Sequence, residues 1–397
     1  MAKDKSGYII AAAFIGPGTV TTASIAGANF GFHLVWALLF SITATMVLQD
    51  MAARLGIATG QGLATNLKEI SQNPVLRLLF SLLIVAAVGI GNAAYESGNL
   101  TGAAIGLDAF FAIGTGNWAI ILGAISALLL WSGKYKVIES VLVVLVIAMA
   151  IVFFVTLFAA GPEWTAMFSQ AATPQLNTST INMVLALIGT TIVPYNLFLH
   201  ASLTAQNYIG ADKAEAIAAS RKQSVFAIGF GGLITLVVMA TAMMAFFNQA
   251  ASMDAANMGK QLEPVLGEWA QWFFAAGLFA AGLTSSITAP LAASYAVCGA
   301  FNWPQDMQGK AFRSIWLAII VTGVVIAGMG FKPLSAIMFA QAANGLLLPI
   351  VAIFLLVVMN RNATLGEFKN GTTSNVLGAL VVGFVVCLGV YKLYSLF

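Results

Sequence analysis

Between Ser140 and Gly161 the chain runs for 22 residues without a charge or a proline. A stretch of that length and polarity has one stable home, because a helix of about 20 apolar residues spans the hydrocarbon core of a bilayer. The same reading places spans near 8–28, 31–54, 77–105, 117–132, 137–160, 181–206, 224–247, 265–297, 313–330, 333–358 and 374–395, eleven in all. With 60% hydrophobic and 8% charged residues against about 25% charged in a soluble domain, the surface of a soluble globule of 397 residues cannot be covered. The mean hydropathy of +0.93 agrees. The expected fold class is an all-α polytopic membrane protein whose partner is the lipid bilayer. A net charge of +3, scattered along the chain, is no footprint for nucleic acid. Cys298 and Cys387 both lie in apolar runs and read as small core residues, with no disulfide framework. The short head Met1–Ser6 before the first apolar run lacks a convincing cleavage site.

Orientation follows from lysine and arginine. With the N-terminus cytoplasmic, the inner loops and ends carry 14 of the 17 basic residues, from Lys3 and Lys5 through Arg54, Lys134, Lys136 and Arg221 to Arg361 and Lys369. Lys260, Lys332 and Lys392 fall outside. The excess predicts a cytoplasmic N-terminus and, for an odd number of spans, an external C-terminus.

Two spans are interrupted midway. The first carries Gly16-Pro17-Gly18-Thr19 followed by Thr22, and the sixth carries Thr190-Thr191-Ile192-Val193-Pro194-Tyr195-Asn196. Proline removes a donor and clashes with the preceding turn. Backbone freed in this way is tolerated at membrane depth only where protein or a water-filled cavity satisfies it. Spans 1 and 6 occupy matching positions if spans 1–5 (about 8–160) and 6–10 (about 181–358) are inverted repeats of one transporter domain over 1–397, with an extra helix at about 374–395. Broken helices so placed point to a transporter's solute site. The alternative is that Pro17 and Pro194 only kink two packed helices.

Further motifs carry a resemblance. Gly27-Ala28-Asn29-Phe30-Gly31-Phe32, Trp36–Leu39 and Arg54–Gly60 flank and fill the second span. Gly133–Ser140, Asn196–Ser202, Gly282–Leu291 and Gln341–Pro349 follow in order. In these stretches the chain resembles the Nramp (natural resistance-associated macrophage protein) family of proton-coupled divalent-metal transporters. The resemblance implies a LeuT-like fold with a central site between spans 1 and 6. It also exposes departures: the family's Asp-Pro-Gly-Asn is here Gly16-Pro17-Gly18-Thr19, its Met-Pro-His is Val193-Pro194-Tyr195, and a polar Gln before Leu-Pro is Leu347. The side chains with which the family grips a metal are replaced, so no metal ligand set and no cofactor are expected. A divalent ion needs several oxygen or nitrogen ligands, usually with a carboxylate.

The expected function is therefore a secondary-active transporter of a small anion, carboxylate or zwitterion, held by Gly16, Pro17, Gly18, Thr19, Thr22, Val193, Pro194, Tyr195 and Asn196. Gln341 and Asn344 share a face of span 10 and are candidates for the same cavity. The N-terminal ends of half-helices favour negative charge, and no Asp opposes it here. A metal carrier using carbonyls, Thr19, Tyr195 and water is one alternative, and a transport-dead membrane sensor is another. An enzyme is not expected, since no nucleophile–base pairing is present. Asn92, Glu96 and Asn99 recur at helical spacing on one face of span 3. Glu96, Asn99 (where the family has a second acid) and His200 are the candidates for a proton path, against a structural Glu96 paired with Asn92. Asp50 and Arg54 read as a local ion pair, and Thr284, Ser285, Ser286 and Thr288 as interhelical hydrogen-bonding groups.

Overall fold

A computed structural model describes residues 16–133, 135–249 and 252–394. Its ordered elements are helical throughout. The long helices are α1 (Pro17–Phe30), α2 (Val35–Thr59), α3 (Pro74–Asp108), α4 (Thr115–Ser132), α5 (Tyr135–Ala159), α6 (Ile181–Asn207), α7 (Lys213–Phe246), α8 (Ala270–Phe301), α9 (Lys310–Gly328), α10 (Pro333–Met359) and α11 (Thr372–Tyr394). Ten of them, α2 to α11, are long and apolar enough to cross a membrane. The described α1 has 14 residues, and positions 8–15 of the expected first span lie outside the described residues, as do Lys3, Lys5 and Lys134. The observed helices overrun the expected spans mainly where polar turns extend them, as at Lys213–Gln223 of α7.

Both breaks form where the prolines demand them. Helix α1 begins at Pro17 with Gly16 extended ahead of it at φ −89°, ψ 172°. Helix α6 stops at Thr191, passes through non-helical Ile192 and extended Val193, and restarts at Pro194. Proline at the first helical position loses no hydrogen bond that the helix could have made. A third irregularity was not legible in the sequence: α3 widens into a π-helical turn over Val85–Ile90 before resuming at Gly91. Such turns in long helices often mark functional stretches.

Small residues set how closely the helices pack, as membrane interfaces require. A Cβ on Gly27 of α1 would overlap the Met239 carbonyl of α7, and one on Gly56 of α2 would overlap the Ala201 carbonyl of α6. Gly106 of α3 meets the Ala275 carbonyl of α8, and Gly282 of α8 meets the Asn99 carbonyl of α3 at 2.7 Å. Gly189 of α6 lies against the Gln341 carbonyl of α10. Backbone thus touches backbone in the pairs α1–α7, α2–α6, α3–α8 and α6–α10. Outward faces carry exposed Val141, Val144, Ile151, Phe226 and Phe230, the surface a bilayer would wet. Cys298 is buried as expected, whereas Cys387 is exposed on α11, because its helix packs on the rest through the opposite stripe Val381, Val385 and Leu388.

Candidate functional site

The two restarted helices bring Gly16–Thr19 and Val193–Asn196 to one depth, and they are stitched directly. Thr19 Oγ1 lies 3.1 Å from Thr190 Oγ1 across the gap between α1 and α6. The third wall is α3, whose Gly102 accommodates the ring of Pro17. Two turns away on that face stands Tyr95, fully buried, its ring edge-on to Tyr195 with centroids 5.4 Å apart. Its hydroxyl is 3.6 Å from where a Cβ on Gly16 would sit, and Ser285 Oγ of α8 is 3.0 Å from the same point. The fourth wall is α10, where the Gln341 amide lies against Gly18 in space that any larger residue would fill.

What distinguishes this region is unmet hydrogen-bonding capacity. Asn196 Oδ1, both amide atoms of Gln341 and Asn344 Nδ2 are all buried without a partner, and the buried Tyr95 and Tyr195 hydroxyls have only each other. Buried polar atoms are ordinarily paired, and each orphan costs about 1–3 kcal/mol. Four such atoms, with the two tyrosine hydroxyls beside them, make this the candidate place for a polar ligand. The amide atoms and hydroxyls here are formally neutral, with both donors and acceptors among them.

The expected residues divide into three groups. Gly16, Pro17, Gly18, Thr19, Val193, Pro194, Tyr195 and Asn196 meet at the two breaks, with Gln341 against Gly18 and Asn344 Oδ1 3.6 Å from the Cβ position of Gly91 on α3. Thr22 is one turn away, donating to Met338 Sδ of α10 at 3.7 Å. The third group lies elsewhere. Asn92, Glu96 and Asn99 do share a face of α3, but it turns toward α8 and α9. Asn92 donates to the Ala289 carbonyl of α8 at 3.2 Å, and the Glu96 side chain packs on Gly323 of α9 at 2.7 Å from its Cβ position. The partner of Glu96 is Asn99, which donates to Oε2 at 3.2 Å, rather than Asn92; Oε1 is left without a partner. His200 sits two turns below the break, its Nδ1 donating to Gln49 Oε1 of α2 at 2.8 Å. Asp50, expected to pair with Arg54 (3.8 Å), is held more tightly by Arg221 of α7 through two bonds of 2.6 and 3.2 Å.

Tyr95 and Ser285 were missed as site residues. The signal for Tyr95 was present, since Gly91, Tyr95, Gly98 and Gly102 recur at helical spacing and form the stripe beside that of Glu96.

The geometry has relatives. A divalent metal cation transporter, MntH, of Yersinia pestis (strain Pestoides F) is 30% identical over 405 residues, covering 98% of this chain and 94% of that protein. A crystal structure of the Eremococcus coleocola manganese transporter superposes with a TM-score of 0.79 at 22% identity, over 99% of this chain and 86% of the other. MhsT in complex with L-phenylalanine matches with a TM-score of 0.62 at 16% identity, over 100% and 99%. These likenesses show the LeuT-like fold. The model of the natural resistance-associated macrophage protein-like (Nramp) family matches residues 7–395. The chain belongs to the Nramp family of integral membrane transporters.

Proposed function

We propose that this Nramp-family transporter carries a small non-metal solute with a carboxylate or other anionic group, and most readily a zwitterion, by secondary-active alternating access. The observation that carries the reading is the set of orphaned neutral atoms at the two breaks. Tyr95 Oη, Tyr195 Oη, Gln341 Nε2 and Asn344 Nδ2 can donate to carboxylate oxygens, beside two half-helix starts whose dipoles favour negative charge. Asn196 Oδ1 and Gln341 Oε1 can accept from an ammonium. Gly16 and Val193 offer a divalent ion neither charge nor a soft ligand, and stripping its water there would be costly.

The orientation supported by the basic residues puts the N-terminus in the cytoplasm and the C-terminus outside, in the inner membrane of a bacterium. Glu96 with Asn99, and His200 further in, are the groups available for a coupled proton, Glu96 acting behind Tyr95 rather than in the solute site. The second reading, Mn²⁺ or a similar ion bound through carbonyls, Thr19, Tyr195 and water, is favoured by the names of the relatives.

One experiment separates them. Purified protein in proteoliposomes is assayed for Mn²⁺ uptake beside the Yersinia pestis relative and empty vesicles. The expected result is uptake by the relative alone, followed by thermal stabilisation of this protein by members of an amino-acid and carboxylate panel. Mn²⁺ uptake at the relative's rate would overturn the proposal.

A further inference from the structure

A second cavity, of about 600 Å³, lies away from the breaks, where the ends of α5 and α7 meet the α7–α8 connection. Its floor is Thr156 of α5 and Ala160 just beyond that helix, with Thr241 and Met244 of α7, and its roof and rim are Lys260, Gln261 and Glu263. The roof is fixed in place. Gln261 Nε2 donates to Ser24 Oγ of α1 at 3.0 Å, and Thr241 Oγ1 donates to Gln261 Oε1 at 3.4 Å.

Three observations define what would fill it. The first is Thr156, a residue of the cavity wall that is 0% exposed and whose buried hydroxyl has no partner. A helical threonine ordinarily donates to the carbonyl four residues back, and Thr45, Thr59, Thr235, Thr241, Thr284 and Thr288 all do so here. The second is charge. Lys260 and Glu263 stand three positions apart on the rim, and neither takes part in an ion pair, since both pairs among the described residues belong to Asp50. The third is depth. Thr156 lies three residues from the end of α5 and Thr241 five from the end of α7, so the floor sits about 5–8 Å inside the helix ends at 1.5 Å per residue. Headgroups and the interface occupy about that thickness on each side of the hydrocarbon core. Beside the floor, Val155 and Phe158 are 47% and 57% exposed, so acyl-chain surface begins where the cavity ends.

We infer that this cavity binds the headgroup of a zwitterionic aminophospholipid. Lys260 meets the phosphate, the Glu263 carboxylate accepts from the primary ammonium, and the Thr156 hydroxyl donates to an oxygen of the glycerol ester. The acyl chains run along the exposed face of α5. An anionic headgroup with no ammonium would leave the Glu263 carboxylate beside the phosphate with no cation to meet it, and a choline headgroup has no N–H to donate. The site is distinct from the solute site and does not rest on the solute proposed above.

The test is native mass spectrometry of the full chain in detergent, titrated separately with palmitoyl-oleoyl phosphatidylethanolamine, phosphatidylglycerol and phosphatidylcholine, and with soluble phosphoethanolamine. One phosphatidylethanolamine retained per chain is expected, with Lys260→Gln and Glu263→Gln each weakening retention by about fivefold, the scale of a partly exposed charge pair. Thr156→Val weakens it also, while the lipid-free melting temperature of all three variants stays at the wild-type value. Equal retention of phosphatidylglycerol or phosphatidylcholine overturns the assignment, as does unchanged retention in both charge variants. Binding of soluble phosphoethanolamine as tight as that of the lipid overturns the lipid source in favour of a water-borne solute.

Discussion

Asp50 holds two arginines, and they do not depend on it equally. Arg221 is about half exposed, whereas Arg54 is 8% exposed and has its Nε buried without a partner. Asp50→Asn should therefore cost about 2 kcal/mol in a detergent melt, because it leaves a buried guanidinium uncompensated. Arg221→Gln should cost less than about 1 kcal/mol, as exposed pairs do. The spacing of Asp50 and Arg54 was legible in sequence, but Arg221, 171 positions away, was not. At the proposed solute site the same limit applies. Pro17 and Pro194 announced Gly16 and Val193, yet Tyr95, which faces the site, was marked only by the stripe of Gly91, Gly98 and Gly102, and the carboxylate of Glu96, which faces α9, drew the reading instead. Gly16 has an extended backbone and a Cβ position only 3.0 Å from Ser285 Oγ and 3.6 Å from Tyr95 Oη, so an added carboxylate would meet two hydroxyl donors. Gly16→Asp combined with Val193→Met should create Mn²⁺ binding, readable by calorimetry, where the parent shows none. Absence of binding in a folded double variant would mean that the frame has changed as well as the ligands.

Among the elements, the two half-helix starts were readable from the chain because proline acts on its own neighbours, independently of tertiary context. The π turn of α3 was not, since Val85–Ile90 is as apolar as any other part of a span and its widening answers to packing. Pro194→Ala restores a backbone donor and removes the clash that keeps Ile192 and Val193 out of the helix. Hydrogen exchange at residues 192–196 should then slow by about tenfold or more as the two halves of α6 approach continuity. Unchanged exchange would assign the break to packing rather than to the ring. Gly189→Ala is expected to be worse for the fold than for the site. Its methyl would press on the Gln341 carbonyl, which cannot rotate away, and a loss of about 2–3 kcal/mol is expected in the melt.

For the whole molecule, composition and hydropathy had already fixed an all-helical membrane protein, because a bilayer admits few alternatives. The arrangement of helices around the breaks needed contacts between residues far apart in sequence. Sidedness can be checked directly. In a background with Cys298 and Cys387 replaced by serine, a cysteine at exposed Lys332 should react with an impermeant maleimide added to intact cells. One at exposed Lys369 should react only after permeabilisation, and the reverse pattern would invert the topology. The glycine contacts also say something about motion. Where a carbonyl is seated on a bare Cα, two helices cannot slide past each other without climbing over it, so each such contact behaves as a weld. The welds join α1 to α7 and α2 to α6, and α3 to α8 separately, while α6 is also fastened to α10 through Gly189 and Gly345. The hydroxyl bridge from Thr19 to Thr190, by contrast, is a bond that can be exchanged for one to a passenger. The mobile joints of this transporter are thus expected at the seams that glycine leaves unwelded, and the proposed solute site lies on one of them.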